Sequence, residues 1–209
     1  AAAAAGWGPA RAAGASACDV FCDEGAFTVE EARVILTAAA AAGLQLRIHA
    51  DELALTGGAE LAAELHADSA DHLLRIGARE AGLLARSGTV ATLCPVTALA
   101  MRMAPPAREL LRQGVTLALG SDHNPGTSGA SSMSLVVFLA VSELGLSVDE
   151  ALTAATSGGA RSLRLADRGR LRQGMRADIA LWEADHEGAM AWQPQLPCLA
   201  TWLRGRRAA

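Results

Sequence analysis

Short apolar runs that stop at a charged or imidazole side chain recur along this sequence, each followed by a stretch with helical periodicity. Asp19–Cys22 predicts a strand that ends at Asp23-Glu24-Gly25. Thr28 predicts a helix N-cap, Glu31 completes a capping box, and Gly43 closes that helix. Leu44–Ile48 predicts a second strand, followed at once by His49-Ala50-Asp51-Glu52. A helix over 57–66 carries Leu61 and Leu65 at i,i+4 spacing. Ser69–His72 predicts a third strand, 78–86 a helix closed by Gly88, Thr89–Cys94 a strand stopped by Pro95, and 107–113 a helix stopped by Gly114. Val115–Leu119 is a further strand, covered on both faces, that runs into Ser121-Asp122-His123-Asn124-Pro125-Gly126. Such alternation predicts an α/β fold with a parallel sheet or barrel.

Beyond Gly126 the pattern changes. A Ser/Gly-rich loop through Ser132 suits a flexible active-site loop, and helices are expected over 135–144 and 148–155, the second with Ser147 as N-cap and Glu150 at N3. Gly169–Gly174 and Ala177–Trp182 predict a β-hairpin-like end piece, and Thr201–Arg204 a last strand. The expected organisation is an Ala-rich segment over 1–18, an α/β portion over 19–165 and a small β portion over 166–209.

The polar residues that end the strands carry the chemistry. His49, His72 and Asp122 each stand at the C-terminal end of a predicted strand, and a barrel places such residues on one rim. Imidazole nitrogen and carboxylate oxygen are the usual zinc or iron ligands of hydrolase sites. Glu52 follows His49 by three residues, so one loop can offer both to one pocket. Each residue also has an ordinary structural explanation: a core or surface histidine for His49, a strand cap for His72, and for Asp122 an Asx turn with Asn124 and Gly126. His66 reads as a solvated or dipole-facing residue at a helix end, His123 beside Asp122 is open between a functional and a structural role, and His186 reads as inert in a polar loop.

Composition narrows the function classes. About half of the 209 residues are hydrophobic, enough for a large core, and the net charge of −4 argues against nucleic acid as a partner. All the basic residues are Arg, and there is no Tyr. Cys18, Cys22, Cys94 and Cys198 form no C-x-x-C pair, which predicts reduced, mostly buried thiols and the cytoplasm as the compartment. No apolar run reaches the ~18 residues of a membrane span, and Ala1–Ala17 has no basic segment ahead of an apolar one, which argues against a signal peptide.

Arg47-Ile-His-Ala-Asp-Glu-Leu53, Gly57-Gly-Ala-Glu-Leu61, Ser69-Ala-Asp-His-Leu73 and Leu119-Gly-Ser-Asp-His-Asn-Pro-Gly126 resemble the imidazolonepropionase family, with Asp19–Glu24 similar to its preceding strand. Gly169-x-Leu-x-x-Gly174 with Ala177-Asp178 is similar to the C-terminal signature of the wider amidohydrolase superfamily. The resemblance implies the C-terminal half of a metal-dependent (β/α)8 barrel, about strands 4 to 8, plus part of a small β-sandwich. It implies hydrolysis of the cyclic amide 4-imidazolone-5-propanoate to N-formimidoyl-L-glutamate by metal-activated water, in histidine breakdown. His49 and Asp122 would be ligands of one zinc or iron ion, and Asp122 would also shuttle the proton of the water. Glu52 would bind the ring nitrogen and transfer a proton, and His72 would polarise the carbonyl. Asn124, Gly126 and Thr127 would hold substrate or product carboxylates. The partner is then a small-molecule substrate, with no nucleic acid and no membrane; a homodimer is compatible with this reading.

The family's His-x-His pair is absent from these residues, as are its N-terminal arginine, tyrosine and further histidine. With no initiating Met, this leads to the expectation that the chain is the C-terminal portion of an enzyme and inactive by itself. The alternatives are another amidohydrolase, such as a ring aminohydrolase or deaminase, and a non-catalytic fragment that needs a partner chain.

Overall fold

The computed structural model describes residues 6–208, so the first five residues of the Ala-rich segment lie outside the described chain. Two compact units form. One runs up to Thr92 and adds Glu109–Thr116; the other comprises Leu93–Arg108 and the chain from Leu117 on.

The first unit holds α1 (Trp7–Ala12), β1 (Ala17–Cys22), α2 (Val29–Ala41), β2 (Gln45–Ala50), α3 (Gly58–Glu64), β3 (Ser69–His72), α4 (Ala78–Ser87) and most of β4 (Val90–Leu93). Capping sets where α2 starts: Thr28 Oγ1 accepts the Glu31 N–H at 3.2 Å while Glu31 Oε2 accepts the Thr28 N–H at 2.9 Å, the reciprocal box expected from the sequence. Each helix returns the chain to a strand parallel to the last, giving the order β1-β2-β3-β4. Alternation along β1 and β2 then sorts the side chains. Cys18, Val20, Cys22, Leu46, Ile48 and Ala50 are buried beneath Leu36 and Ala39 of α2 and Leu61 and Ala62 of α3. Gly58 lets α3 settle on β2, because a Cβ there would lie 2.9 Å from Ala50 Cβ.

The opposite face of this sheet is polar and in register. Phe21 pairs with His49, His49 with Asp71 and Asp71 with Thr92; one step back, Asp19 pairs with Arg47 and Arg47 with Ser69. The strand expected to stop at Ile48 runs on to Ala50, because pairing to both neighbours continues through that point. His49 therefore projects from the strand itself rather than from the loop after it.

In the second unit Pro95 does more than stop a strand. It opens α5 (Pro95–Ala100), where a missing N–H costs nothing in the first helical turn. After α6 (Ala107–Arg112), which the two units share, come β5 (Leu117–Leu119), α7 (Met133–Ser142) and α8 (Val148–Thr153), whose Ser147–Glu150 capping box forms as expected. The helix expected to end near 155 continues through a π-helical turn, Ala154–Gly158, into α9 (Gly159–Ser162). Gly158 permits this: its backbone presses so closely on β5 that a Cβ would fall 2.0 Å from the Leu117 carbonyl oxygen.

The expected hairpin between 169–174 and 177–182 does not form. Instead β6 (Ile179–Trp182) pairs antiparallel with β7 (Cys198–Leu203), and β7 with β8 (Arg206–Arg207). The cause is a charged hub. Asp178 accepts from Arg168 at 3.0 Å, from Arg176 at 2.9 Å and from the Arg204 backbone N–H at 2.9 Å, which holds residues 168–178 as an irregular loop. No described helix is long and apolar enough to cross a membrane.

Candidate active site

Three sequence-predicted residues meet in the first unit. His49 lies one residue before the end of β2, Glu52 two residues past it, and His72 is the last residue of β3. The His49 and His72 rings lie 5.1 Å apart. His72 Nδ1 is 3.6 Å from Glu52 Oε1, an ion-pair separation slightly longer than a hydrogen bond. His72 and Glu52 are buried and His49 is half-buried.

Backbone conformation delivers these side chains. Asp51 (φ 50°) and His72 (φ 71°) adopt the left-handed region just where β2 and β3 end, and Leu73 (φ 57°) follows. Non-glycine residues there carry strain of roughly 1–3 kcal/mol and concentrate at functional sites. Two carboxylates hold the β2–α3 loop. Asp51, fully buried, accepts the N–H groups of Thr56, Gly57, Gly58 and Ala59 at 2.7–3.3 Å and so caps the start of α3. Asp23, also buried, accepts those of Glu52, Leu53 and Ala54 at 2.6, 2.9 and 3.0 Å.

On the polar sheet face Asp19, His49 and Asp71 have donor atoms within 4.8 Å of one another. His49 Nδ1 is 2.9 Å from Asp19 Oδ2. Asp71 Oδ1 is buried with no hydrogen-bond partner, and burial pushes the Asp71 carboxyl above the usual carboxylate range against a hydrogen bond from Ser69 and the nearby His49. A nitrogen and carboxylate set of this kind, with one buried oxygen unsatisfied, could hold a metal ion.

The remaining predicted residues lie in the second unit. Asp122 follows β5 with φ 50°, and its carboxylate accepts the Thr97 hydroxyl at 2.5 Å and Asn124 Nδ2 at 3.1 Å. Thr97, on α5, is fully buried. The Asx turn considered for Asp122 is made by Asn124 instead: its Oδ1 accepts the Gly126 and Thr127 N–H groups, each at 2.8 Å. Asp122 is thus oriented by side chains rather than spent on a turn. His66 Nδ1 lies 3.3 Å from the Ser87 carbonyl oxygen and His123 Nδ1 3.2 Å from that of Ala130.

The sequence pattern alone does not mark Asp19, Asp23, Asp51 and Thr97 as site residues. A signal existed for two of them: Asp23 and Asp51 each follow a strand directly, the same position that drew attention to His72 and Asp122.

The chain belongs to the amidohydrolase family, whose model matches residues 4–209. Among curated proteins it is similar to imidazolonepropionase of Mycolicibacterium smegmatis, 46% identical over 89% of this chain, and to that of Pyrobaculum arsenaticum, 47% identical over 87%. It spans about half the length of these relatives, 47% and 46%. Solved structures agree on the fold. A 5-methylcytosine deaminase from Klebsiella pneumoniae superposes with a TM-score of 0.79 at 18% identity, covering 99% of this chain and 59% of that one. An adenosine deaminase from Xanthomonas campestris with bound zinc gives 0.68 at 22%, covering 87% and 49%. The expectation of a parallel α/β core consistent with part of a barrel, and of a small antiparallel β portion, is borne out.

Proposed function

We propose that the protein to which this chain contributes is an imidazolonepropionase, hydrolysing 4-imidazolone-5-propanoate to N-formimidoyl-L-glutamate in histidine degradation. The observation that carries the reading is the buried Glu52–His72 pair beside His49, on strand ends of a chain similar to imidazolonepropionases over nearly all its length.

In this reading His49 and Asp122 would hold one zinc or iron ion. Bound there, the ion supplies Lewis acidity and lets water attack at neutral pH. Every other role falls to side chains. His72, held beside Glu52, donates to the substrate carbonyl oxygen and stabilises the charge that develops on it. Glu52 receives the ring nitrogen and helps pass to it, as the C–N bond breaks, the proton that the attacking water gives up. Asp122 takes the proton from the attacking water. Asn124, Gly126 and Thr127 receive the anionic tail; the Gly126 and Thr127 amides, which now donate to Asn124 Oδ1, would exchange that oxygen for a substrate carboxylate.

The absent His-x-His makes the test one of the whole protein. We expect the full-length protein to consume 4-imidazolone-5-propanoate, followed by loss of its ultraviolet absorbance, and Glu52→Gln to keep metal while losing turnover by about 10²–10⁴-fold. Ammonia release from aminated rings with no imidazolone turnover would favour a deaminase instead. A cytoplasmic enzyme that forms a homodimer accords with this reading.

A further inference from the structure

We infer that Asp19 is a positioning residue for His49: its carboxylate fixes the imidazole as the Nδ1–H tautomer and leaves Nε2 to face the metal. This rests on the proposed role of His49 as a ligand.

The fold brings the two together. Register places Asp19 opposite Arg47 and Phe21 opposite His49, so Asp19 sits one pleat back from His49 on the same face of the adjacent strand. Both carboxylate oxygens lie against His49 Nδ1, Oδ2 at 2.9 Å and Oδ1 at 3.1 Å. An ionised carboxylate only accepts, so the hydrogen of a neutral imidazole must sit on Nδ1, and the lone pair is left on Nε2. The ring plane is held as well. Phe21 meets it edge-on at 5.8 Å and 61°, and the His72 ring sits tilted against it at 5.1 Å and 40°. A carboxylate on the far nitrogen also makes an imidazole a more basic ligand, and loss of such a partner typically weakens metal binding 10–100-fold. The nearby Asp71 defines the competing arrangement, in which Asp19, His49 and Asp71 together would grip a cation.

Imidazole nitrogen shifts of protein labelled with ¹⁵N-histidine, read at about pH 8 where an ordinary imidazole is neutral, separate these. In the metal-free wild type we expect Nδ1 to carry the hydrogen, and added zinc to move the Nε2 signal. Asp19→Ala should lose the tautomer preference and bind zinc 10–100-fold more weakly against a competing chelator, with Asp19→Glu recovering part of both. An Nε2–H tautomer in the wild type, zinc on Nδ1, no zinc binding at His49, or an unchanged zinc affinity in a folded Asp19→Ala would each overturn the inference. The tautomer is read without turnover. Full-length protein that passes these tests yet leaves imidazolonepropanoate untouched would refute the proposed function and leave the role of Asp19 standing.

Discussion

The Asp23 carboxylate accepts the backbone N–H of Glu52 at 2.6 Å, and the next two amides of the same loop converge on it. Successive N–H groups aimed at one anion form a nest, which fixes the local backbone and hence the direction in which Glu52 leaves it. Hydrogen bonds to a charged acceptor contribute about 1.5–3 kcal/mol each and do not add simply. Asp23→Ala should therefore lower the urea midpoint clearly and, in active full-length protein, reduce kcat by about 10-fold or more. Asp23→Asn keeps an accepting oxygen and should fall between. Equal kcat in wild type and a folded Asp23→Ala would remove Asp23 from the positioning of Glu52.

Thr97 orients Asp122 in the same manner. Its buried hydroxyl donates to Asp122 Oδ2 at 2.5 Å. Thr97→Val removes one donor at nearly constant volume, so we expect an intact fold and metal affinity weakened about 10–100-fold. Asp122→Ala should abolish bound metal. Metal analysis of purified protein checks both, and normal metal content in Asp122→Ala would end its assignment as a ligand.

What was legible in the sequence follows from the range of the interactions. The Thr28–Glu31 and Ser147–Glu150 boxes are local, and both form as their spacing predicts. His72 at a strand end is equally local. The hairpin near 169–182 failed because its partner was chosen by distant residues: Asp178 binds the Arg204 amide, and β6 pairs with β7. The roles of Asp19, Asp23 and Thr97 stayed hidden for the same reason. Each acts on a residue 25–30 positions away, a relation visible only once the parallel register or the helix packing is known.

Gly158 is a packing requirement of the second unit. A methyl group at this position would lie 2.0 Å from the Leu117 carbonyl oxygen and 3.1 Å from its carbon, atoms of backbone that cannot rotate away. Overpacking commonly costs about 1–3 kcal/mol, and more where backbone must move. Gly158→Ala should lower Tm by several degrees or prevent folding, whereas Gly129→Ala, with open space around it, should be nearly neutral. Thermal unfolding compares them, and matching Tm values would show that the π-helical turn can shift off β5.

Cys22 ties stability to alkaline pH. Burial pushes its thiol up from 9.0 to about 11, and Asp51, Asp23 and Glu30 push in the same direction. Above pH 9 the unfolded chain gives up a proton that the folded chain keeps. The folded state therefore binds more protons between about pH 9 and 11, and its stability falls with rising pH across that window. This contribution is fully present below 9.0 and gone once the pH exceeds about 11. Cys22→Ala should flatten that part of the urea-midpoint profile, at the cost of a small cavity. Alkylation at pH 8 gives an independent reading: iodoacetamide should modify exposed Cys198 while Cys22, with 0% of its surface accessible, stays protected until the protein unfolds. Equal rates for Cys22 and Cys198 in native protein would mean that β1 opens readily to solvent.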